Sequence, residues 1–467
     1  MSKTFIKNII KIRDDRTPLE LVQNERGGDY TFADEQQSPP WIKVSAGSDI
    51  KKSDLRGGIE PWLTSLFQSE YFSLLTGTGL SIAIEYIATG SANSAMSKPT
   101  LNTELSSNIE ASAKAVACKN SRGEANIEDY IRTINELLCG LEVLGYNNTS
   151  DKKNKALYVK LYENLVKIIH DFAENISSIE NSIAIAEDEK RQEAYDYLVN
   201  FLMSFASRTG TRERLNIFTT NYDRLIEAGA ELAGLHLLDR FVGTLAPIFR
   251  SSRLDIDMHY NPPGIRGEPR YLEGVARFTK LHGSIDWINT GLDIRRIGLP
   301  FGSKDLSNFL NAPGIENADV RKLMIYPNAA KDRETTEYPY VELFRDFATA
   351  ICRPNSTLVT FGYGFGDEHI NRVIRDMLTI PSTHLVIISY DDMNGRIMAK
   401  FKEFGRSSQI SLIIGDGVAD FRTLVDYFLP KPSIDRASIR MNELLKQRYS
   451  DPKPDTTSPH DGGEVTL

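Results

Sequence analysis

Five short stretches of this chain carry residues suited to chemistry, and each follows an apolar run. The first is Gly77-Thr78-Gly79-Leu80-Ser81. Glycines after a strand let the backbone approach a diphosphate, and a following helix aims its N–H groups at it. Ser81 adds a hydroxyl donor. In isolation the stretch is equally an ordinary tight turn, because the third glycine of the usual dinucleotide fingerprint is missing. The second is Thr219-Thr220-Asn221-Tyr222-Asp223, directly after Ile217-Phe218. Asn221 offers an amide donor and an acceptor for a ribose hydroxyl, a carboxamide or a water. Asp223 accepts from an amide. The alternative is a capping cluster for a helix over 222–232.

The third stretch is Lys280-Leu281-His282-Gly283-Ser284. An imidazole with an ordinary pKa of about 6.5 takes up a proton near neutral pH, which suits His282 to general-base work. The fourth, Phe361 to His369, carries Gly362, Gly364 and Gly366. Gly362, Gly364 and Phe365 suit close contact with a ribose or phosphate, and Asp367 suits the cap of a helix over 368–378. The fifth is Gly415-Asp416-Gly417, a strand-end turn fit for an adenine or ribose. Seven histidines show no metal spacing. His282, His369 and His384 stand too far apart for a helical ligand pair, so no metal is expected.

These stretches need a scaffold. From residue 214 short apolar runs end in polar or glycine-rich turns, and helical patterns follow several of them. That alternation predicts an α/β fold, a Rossmann-like parallel sheet with helices on both faces. Ligands of such sheets sit beyond the carboxyl ends of the strands. Residues 101–210 differ. Ile127 to Leu141, Leu157 to Ile176 and Leu198 to Phe205 recur at helical spacing and predict a helical insertion. NNTSDKKNK (147–155) reads as a loop within it. The insertion serves either to support the core or as an oligomerisation surface. Residues 1–60 read as an irregular arm with short strands at most. Residues 61–430 form the main domain, and 431–467 a C-terminal helix and a disordered tail.

With 467 residues, 41% hydrophobic and 25% charged, the chain has ample core-forming material. A net charge of -8, from 55 basic and 63 acidic residues, argues against a broad basic face for nucleic acid. Cys118, Cys139 and Cys352 form no Cys-x-x-Cys pair, which excludes a cysteine-built zinc module. No apolar run is long enough to span a membrane, and lysines interrupt the apolar N-terminal stretch. A soluble cytoplasmic protein is expected.

The order of the five stretches resembles the sirtuin family, specifically the branch found in bacterial anti-phage defence proteins. Gly77–Ser81 looks like that family's Gly-Ala-Gly-x-Ser loop, Thr219–Asp223 like its Thr-Gln-Asn-Ile-Asp, and His282-Gly283 like its catalytic His-Gly. Tyr326-Pro327, Lys331 and Pro339-Tyr340 look like the defence branch. The likeness covers roughly 70–92 and 214–430. Two features depart from the deacylating members. The four-cysteine zinc module is missing, and Ile82-Ala83-Ile84-Glu85-Tyr86 replaces their Pro-Asp-Phe-Arg segment.

The resemblance implies an NAD+ glycohydrolase that releases nicotinamide and ADP-ribose, with NAD as substrate, acting by NAD depletion in abortive infection. It implies that Asn221, His282 and Asp223 are catalytic. Gly77, Thr78, Gly79, Ser81, Thr220, Gly362, Gly364, Phe365, Gly415, Asp416 and Gly417 would bind NAD. An NAD or ADP-ribose sensor without turnover is the alternative, and an NAD-dependent deacylase a weaker one. Restraint is expected through a homo-oligomer or a partner in trans, by analogy a HerA-like ATPase. Residues 290–340 are the candidate lid.

Overall fold

The computed structural model describes residues 6–431 apart from 13–14, 24–26, 34–38, 45–47, 93–97, 120–122, 146–151, 208–212, 253–255, 262–269, 305–308, 311–314, 316–322 and 324–337. The chain divides into a body, residues 1–430, and a segment, 431–467. The expected C-terminal helix and tail, with Tyr326-Pro327 and Lys331, lie outside the described residues. So does most of the candidate lid.

The core of the body is a ten-stranded sheet. Its strands are β1 (Ile6–Lys11), β2 (Leu19–Gln23), β3 (Tyr30–Phe32), β4 (Tyr71–Thr76), β5 (Leu215–Thr219), β6 (His236–Leu238), β7 (Val275–Lys280), β8 (Ser356–Phe361), β9 (His384–Ser389) and β10 (Ile410–Ile414). Their order is β3-β2-β1-β10-β9-β8-β4-β5-β7-β6. Strands β4 to β10 run parallel to one another. β1 joins β10 antiparallel, and β2 and β3 continue antiparallel beyond it. This is the α/β architecture that the alternating apolar runs predict.

Period-two alternation explains how wholly apolar strands serve two layers. In β9, Val386 and Ile388 face one core, with α1 (Lys52–Phe67), α2 (Thr78–Thr89) and α6 (Asp188–Ala206). Leu385 and Ile387 face the other, with α8 (Tyr340–Ile351), α9 (Glu368–Met377) and α10 (Arg396–Phe404). All four strand residues are fully buried. Each such side chain contributes about 1.5–3 kcal/mol by leaving water.

The block at 101–210 supplies α3 (Ser106–Lys119), α4 (Ile127–Val143), α5 (Lys152–Ala184) and α6. Its two halves do different work. Phe201, Leu202 and Phe205 of α6 lie in the core against the sheet. Ile109, Ile131 and Ile168 of α3 to α5 build a separate core with Tyr222, Ile285 and Ile297. Lys152–Lys155, read as loop, belong to the first turn of α5, and 147–151 are outside the described residues. Lys152, Lys153 and Lys155 lie on the exposed side of that helix.

The N-terminal residues carry three short strands, and these join the main sheet. β1 inserts beside β10, and α1 begins at Lys52. Two polar residues of β1 are satisfied over long range. Lys11, fully buried, donates from Nζ to the Ile410 carbonyl at 3.0 Å. The Asn8 Oδ1 accepts from the Gly417 and Val418 N–H groups at 2.9 and 3.1 Å. Among the described residues no helix is long and apolar enough to cross a membrane.

Candidate functional site

Strand register sets the site. Phe361 of β8 pairs with Thr76 of β4, Thr76 with Thr219 of β5, and Thr219 with Lys280 of β7. The next residues, Gly362, Gly77, Thr220 and Leu281, therefore leave the sheet in one row at its carboxyl edge. The chain runs from β4 outward to β5, β6 and β7, then crosses back to β8 on β4's other flank. The crevice thus lies at a topological switch point, where open α/β sheets hold their ligands.

A cavity of about 350 Å³ opens there. Of the sequence-predicted residues, Gly77, Thr78, Ser81, Thr220, Asn221, Asp223, His282 and Gly364 line it. A second cavity of about 420 Å³ adjoins it through Thr78, Ile82 and Met393. Gly79 and Gly362 line that one, with Tyr86, Tyr390, Phe421 and Arg422. Both volumes lie within the roughly 300–1,000 Å³ of small-molecule sites.

A hydrogen-bond network joins the first two motifs. The Asn221 Nδ2 donates to the Gly77 carbonyl at 3.0 Å and to the Ser81 Oγ at 2.8 Å. Ser81 in turn donates its hydroxyl hydrogen bond to the Asp223 Oδ2 at 2.5 Å. The other Asp223 oxygen accepts from the Leu225 N–H at 3.1 Å, at the start of α7 (Leu225–Leu232). Asn221 is 5% exposed, and its Oδ1 is buried without a hydrogen-bond partner. A buried amide oxygen left so costs about 1–3 kcal/mol. Asn221 lines the cavity, and its Oδ1 is an acceptor that no protein donor has claimed.

The glycines act differently from the expectation. A Cβ on Gly77 would stand 2.5 Å from the Gly362 carbonyl oxygen, and one on Gly79 would stand 2.6 Å from the Gly362 Cα. Their N–H groups donate to the carbonyls of Phe361 and Gly362. Gly362 itself has φ +62°. The glycines are thus required because two strand-end turns touch backbone to backbone. Ser81 likewise spends its proton on Asp223 rather than reserving it for a phosphate.

Two sequence expectations move away from the cavities. Phe365 has φ +54° and a ring in the apolar core, 4.9 Å from Tyr363 and 6.2 Å from Phe404. It anchors the turn while its flanking glycines, Gly364 and Gly366, line the cavity. Gly415, Asp416 and Gly417 line neither cavity. A Cβ on Gly415 would meet the Asn8 Oδ1 at 2.4 Å, and one on Gly417 the Gln23 Oε1 at 2.2 Å. The Tyr30 hydroxyl donates to the Gly417 carbonyl at 2.7 Å. Asn8, Gln23 and Tyr30 of the N-terminal strands pack against this turn.

The helical block forms one wall, which sequence reading did not foresee. Asn126 and Glu128 come from the start of α4, and Phe172, Ile176 and Ile179 from α5. The signal for Asn126 was present: Asn-x-x-Asp makes a capping box with Asp129, at 3.1 and 3.2 Å. The α5 residues read as an ordinary core stripe, because periodicity does not tell a cavity from a core. A buried ion pair pins this wall to the second motif. Glu180 of α5 accepts from the Arg224 backbone N–H at 2.8 Å and from its Nη2 at 2.5 Å. Burial pulls against the charge of Arg224, yet Glu180 holds the guanidinium above its ordinary pKa. Met393 and Arg396 complete the cavity from the turn after β9, with the Arg396 Nη1 bonded to the Gly364 carbonyl at 3.0 Å. Nothing in their spacing marked them.

His282 follows β7 and is 6% exposed. Its Nε2 stands 3.3 Å from the Nε2 of His369 on α9. The distance along the chain that argued against a histidine pair is removed by the fold.

No curated protein matches the chain. The family model described as a SIR2-like domain matches residues 215–408. Asn221, Asp223 and His282 fall inside that match, and Gly77–Ser81 before it. The match supports a sirtuin-like family and an NAD-related function for the region that carries β5, β7, β8 and β9.

Proposed function

We propose that this protein is an NAD+ hydrolase that releases nicotinamide and ADP-ribose. The observation that carries the reading is the convergence of Gly77, Thr78, Ser81, Asn221, Asp223 and His282 on one cavity, with the Asn221 Oδ1 buried without a partner. The nicotinamide riboside half fits the first cavity and the adenosine half the second. The diphosphate bridges them at Thr78, beside the amino end of α2, whose positive pole favours an anion. Tyr86, Phe421 and Arg422 thereby replace Gly415–Gly417 on the adenine side.

In the reaction the bond from the ribose carbon to the nicotinamide nitrogen breaks, and nicotinamide leaves with the electron pair. Water attacks the same carbon. Asn221 accepts a hydrogen bond from that water or from a ribose hydroxyl. The Nε2 of His282 takes the proton, directly or through the hydroxyl. Water, the NAD cation and the base thus balance to ADP-ribose, nicotinamide and a proton. A positioned base contributes about 10²–10⁴-fold. The capture of water instead of an acyl-lysine accords with the absence of a cysteine zinc module.

On the same reading the enzyme is a cytoplasmic effector of anti-phage defence that depletes NAD. It is held in check in a homo-oligomer or by a partner ATPase of the HerA-like kind. This level rests on the family resemblance. The direct test is to incubate purified protein with NAD and separate the products, with His282→Ala and Asn221→Ala in parallel. Nicotinamide and ADP-ribose in equal amounts, reduced about 10²–10⁴-fold in His282→Ala, support the reading. Tight NAD binding without turnover, alone and with candidate partners, would favour the sensor instead.

A further inference from the structure

Two imidazoles from separate elements meet beside the cavity, which His282 and Asp367 line. His282 follows the end of β7, and His369 is the second residue of α9. Their Nε2 atoms are 3.3 Å apart. Asp367, at the N-cap of α9, brings a carboxylate to the same place. One ligand atom from each of the three residues lies within 4.8 Å of the others. Both rings are held by packing. Phe344 meets His369 edge-on with centroids 4.8 Å apart, and the Tyr222 ring stands 6.3 Å from that of His282. His282 is buried, whereas Asp367 and His369 are half-buried. The cluster therefore has a wet side through which an ion can enter.

Two imidazole nitrogens on one tetrahedral zinc, each at about 2.0–2.1 Å, stand roughly 3.3–3.4 Å apart. The observed Nε2–Nε2 distance matches that spacing, and a small turn of the rings would aim both lone pairs at one ion. Neutral imidazoles with one carboxylate suit zinc and its borderline neighbours, and three protein ligands leave a position open. Such an ion would use the Nε2 lone pair of His282, the pair that takes the proton in the hydrolysis.

We propose that His282, His369 and Asp367 bind a zinc-type divalent cation, and that loading withdraws His282 from NAD turnover as a reversible restraint. The site rests on the cluster alone. The restraint also rests on the reading of His282 as the base.

The test begins with full-length protein stripped by a chelator and dialysed. It is titrated with Co²⁺, followed by visible absorption, and with Zn²⁺, followed by calorimetry. The expected result is one ion per chain with the intense bands of tetrahedral Co²⁺. Changes behind metal ligands cost about 10–100-fold in affinity, so loss of a ligand in His369→Ala costs at least the upper end. Asp367→Asn keeps the side chain's shape and weakens binding as well, and melting curves of the metal-free variants report that both are folded. No uptake by the native protein, or uptake indifferent to both substitutions, overturns the site and leaves a hydrogen-bonded imidazole pair.

Nicotinamide release is then measured with Zn²⁺ and with chelator. Suppression of at least tenfold by Zn²⁺ is expected, reversed by chelator and absent in His369→Ala. Stimulation by Zn²⁺, or equal suppression in the variant, overturns the restraint. Normal metal binding with no nicotinamide release under any condition sinks the hydrolase reading and the restraint together, while the site stands.

Discussion

Two glycine turns leave the same sheet edge and end in different surroundings. Gly77–Gly79, after β4, abuts Gly362, and each turn borders a cavity. Gly415–Gly417, after β10, is packed by Asn8 and Gln23 of β1 and β2. As sequence the two are alike: an apolar strand, two glycines and a polar residue. The neighbour decides. β4 lies at the switch point, with β5 and β8 on its flanks, so its turn faces an open crevice. β10 pairs with β1, and the Gly417 and Val418 amides are taken by Asn8. A glycine turn is thus a permission for close approach, and what approaches is set by strand order.

The largest test of this comparison acts on the cavity side. Glu180→Ala would leave Arg224 charged and buried beside the Thr219–Asp223 motif. Breaking a buried pair from one side costs about 3–5 kcal/mol, which denaturant unfolding would register, and NAD turnover should fall with it. An unchanged unfolding midpoint would mean that the helical wall is not pinned there. Gly79→Ala comes next. Its new Cβ would force the turns apart at Gly362, and a displacement of about 1 Å at a site can cost 10²-fold in rate. Turnover within threefold of the native value would show that the contact has slack.

On the filled side, Asn8→Ala strips the acceptor from two buried N–H groups. The expected loss is about 1–3 kcal/mol of stability with KM for NAD unchanged. A raised KM would return Gly415–Gly417 to the binding site. The smallest effect concerns pH. Burial, helped by Lys11, pushes His384 of β9 down to about 4, while the unfolded chain takes up that proton near 6.5. This contribution is therefore complete at neutral pH and is lost as pH falls from about 6.5 toward 4, at no more than about 1.4 kcal/mol per unit. Comparing unfolding midpoints of native and His384→Gln proteins between pH 7 and 5 should show a flatter profile in the variant.

Much of the fold was legible in the chain. Apolar runs of five or six residues followed by turns mark β4, β5 and β7 to β10, because strands buried on both faces have no polar side to alternate. The helical spacing of 127–141 and 157–176 marks α4 and α5. β1 was not legible, since Asn8 and Lys11 look out of place in a strand until their partners 409 and 399 residues away are in position.

The division follows from the range of the forces involved. Local sequence determined which residues stand at strand ends, where Asn221, Asp223 and His282 are, because backbone preferences and apolar periodicity act within a few residues. Only the tertiary structure decided that Gly77–Ser81 and Asn221–Asp223 share one network while Gly415–Gly417 is closed by its own N-terminus. It alone turned Phe365 into an anchor, made a cavity wall of α4 and α5, and brought His369 within 3.3 Å of His282. Those outcomes depend on strand order and register, which arise from burial summed over the whole sheet.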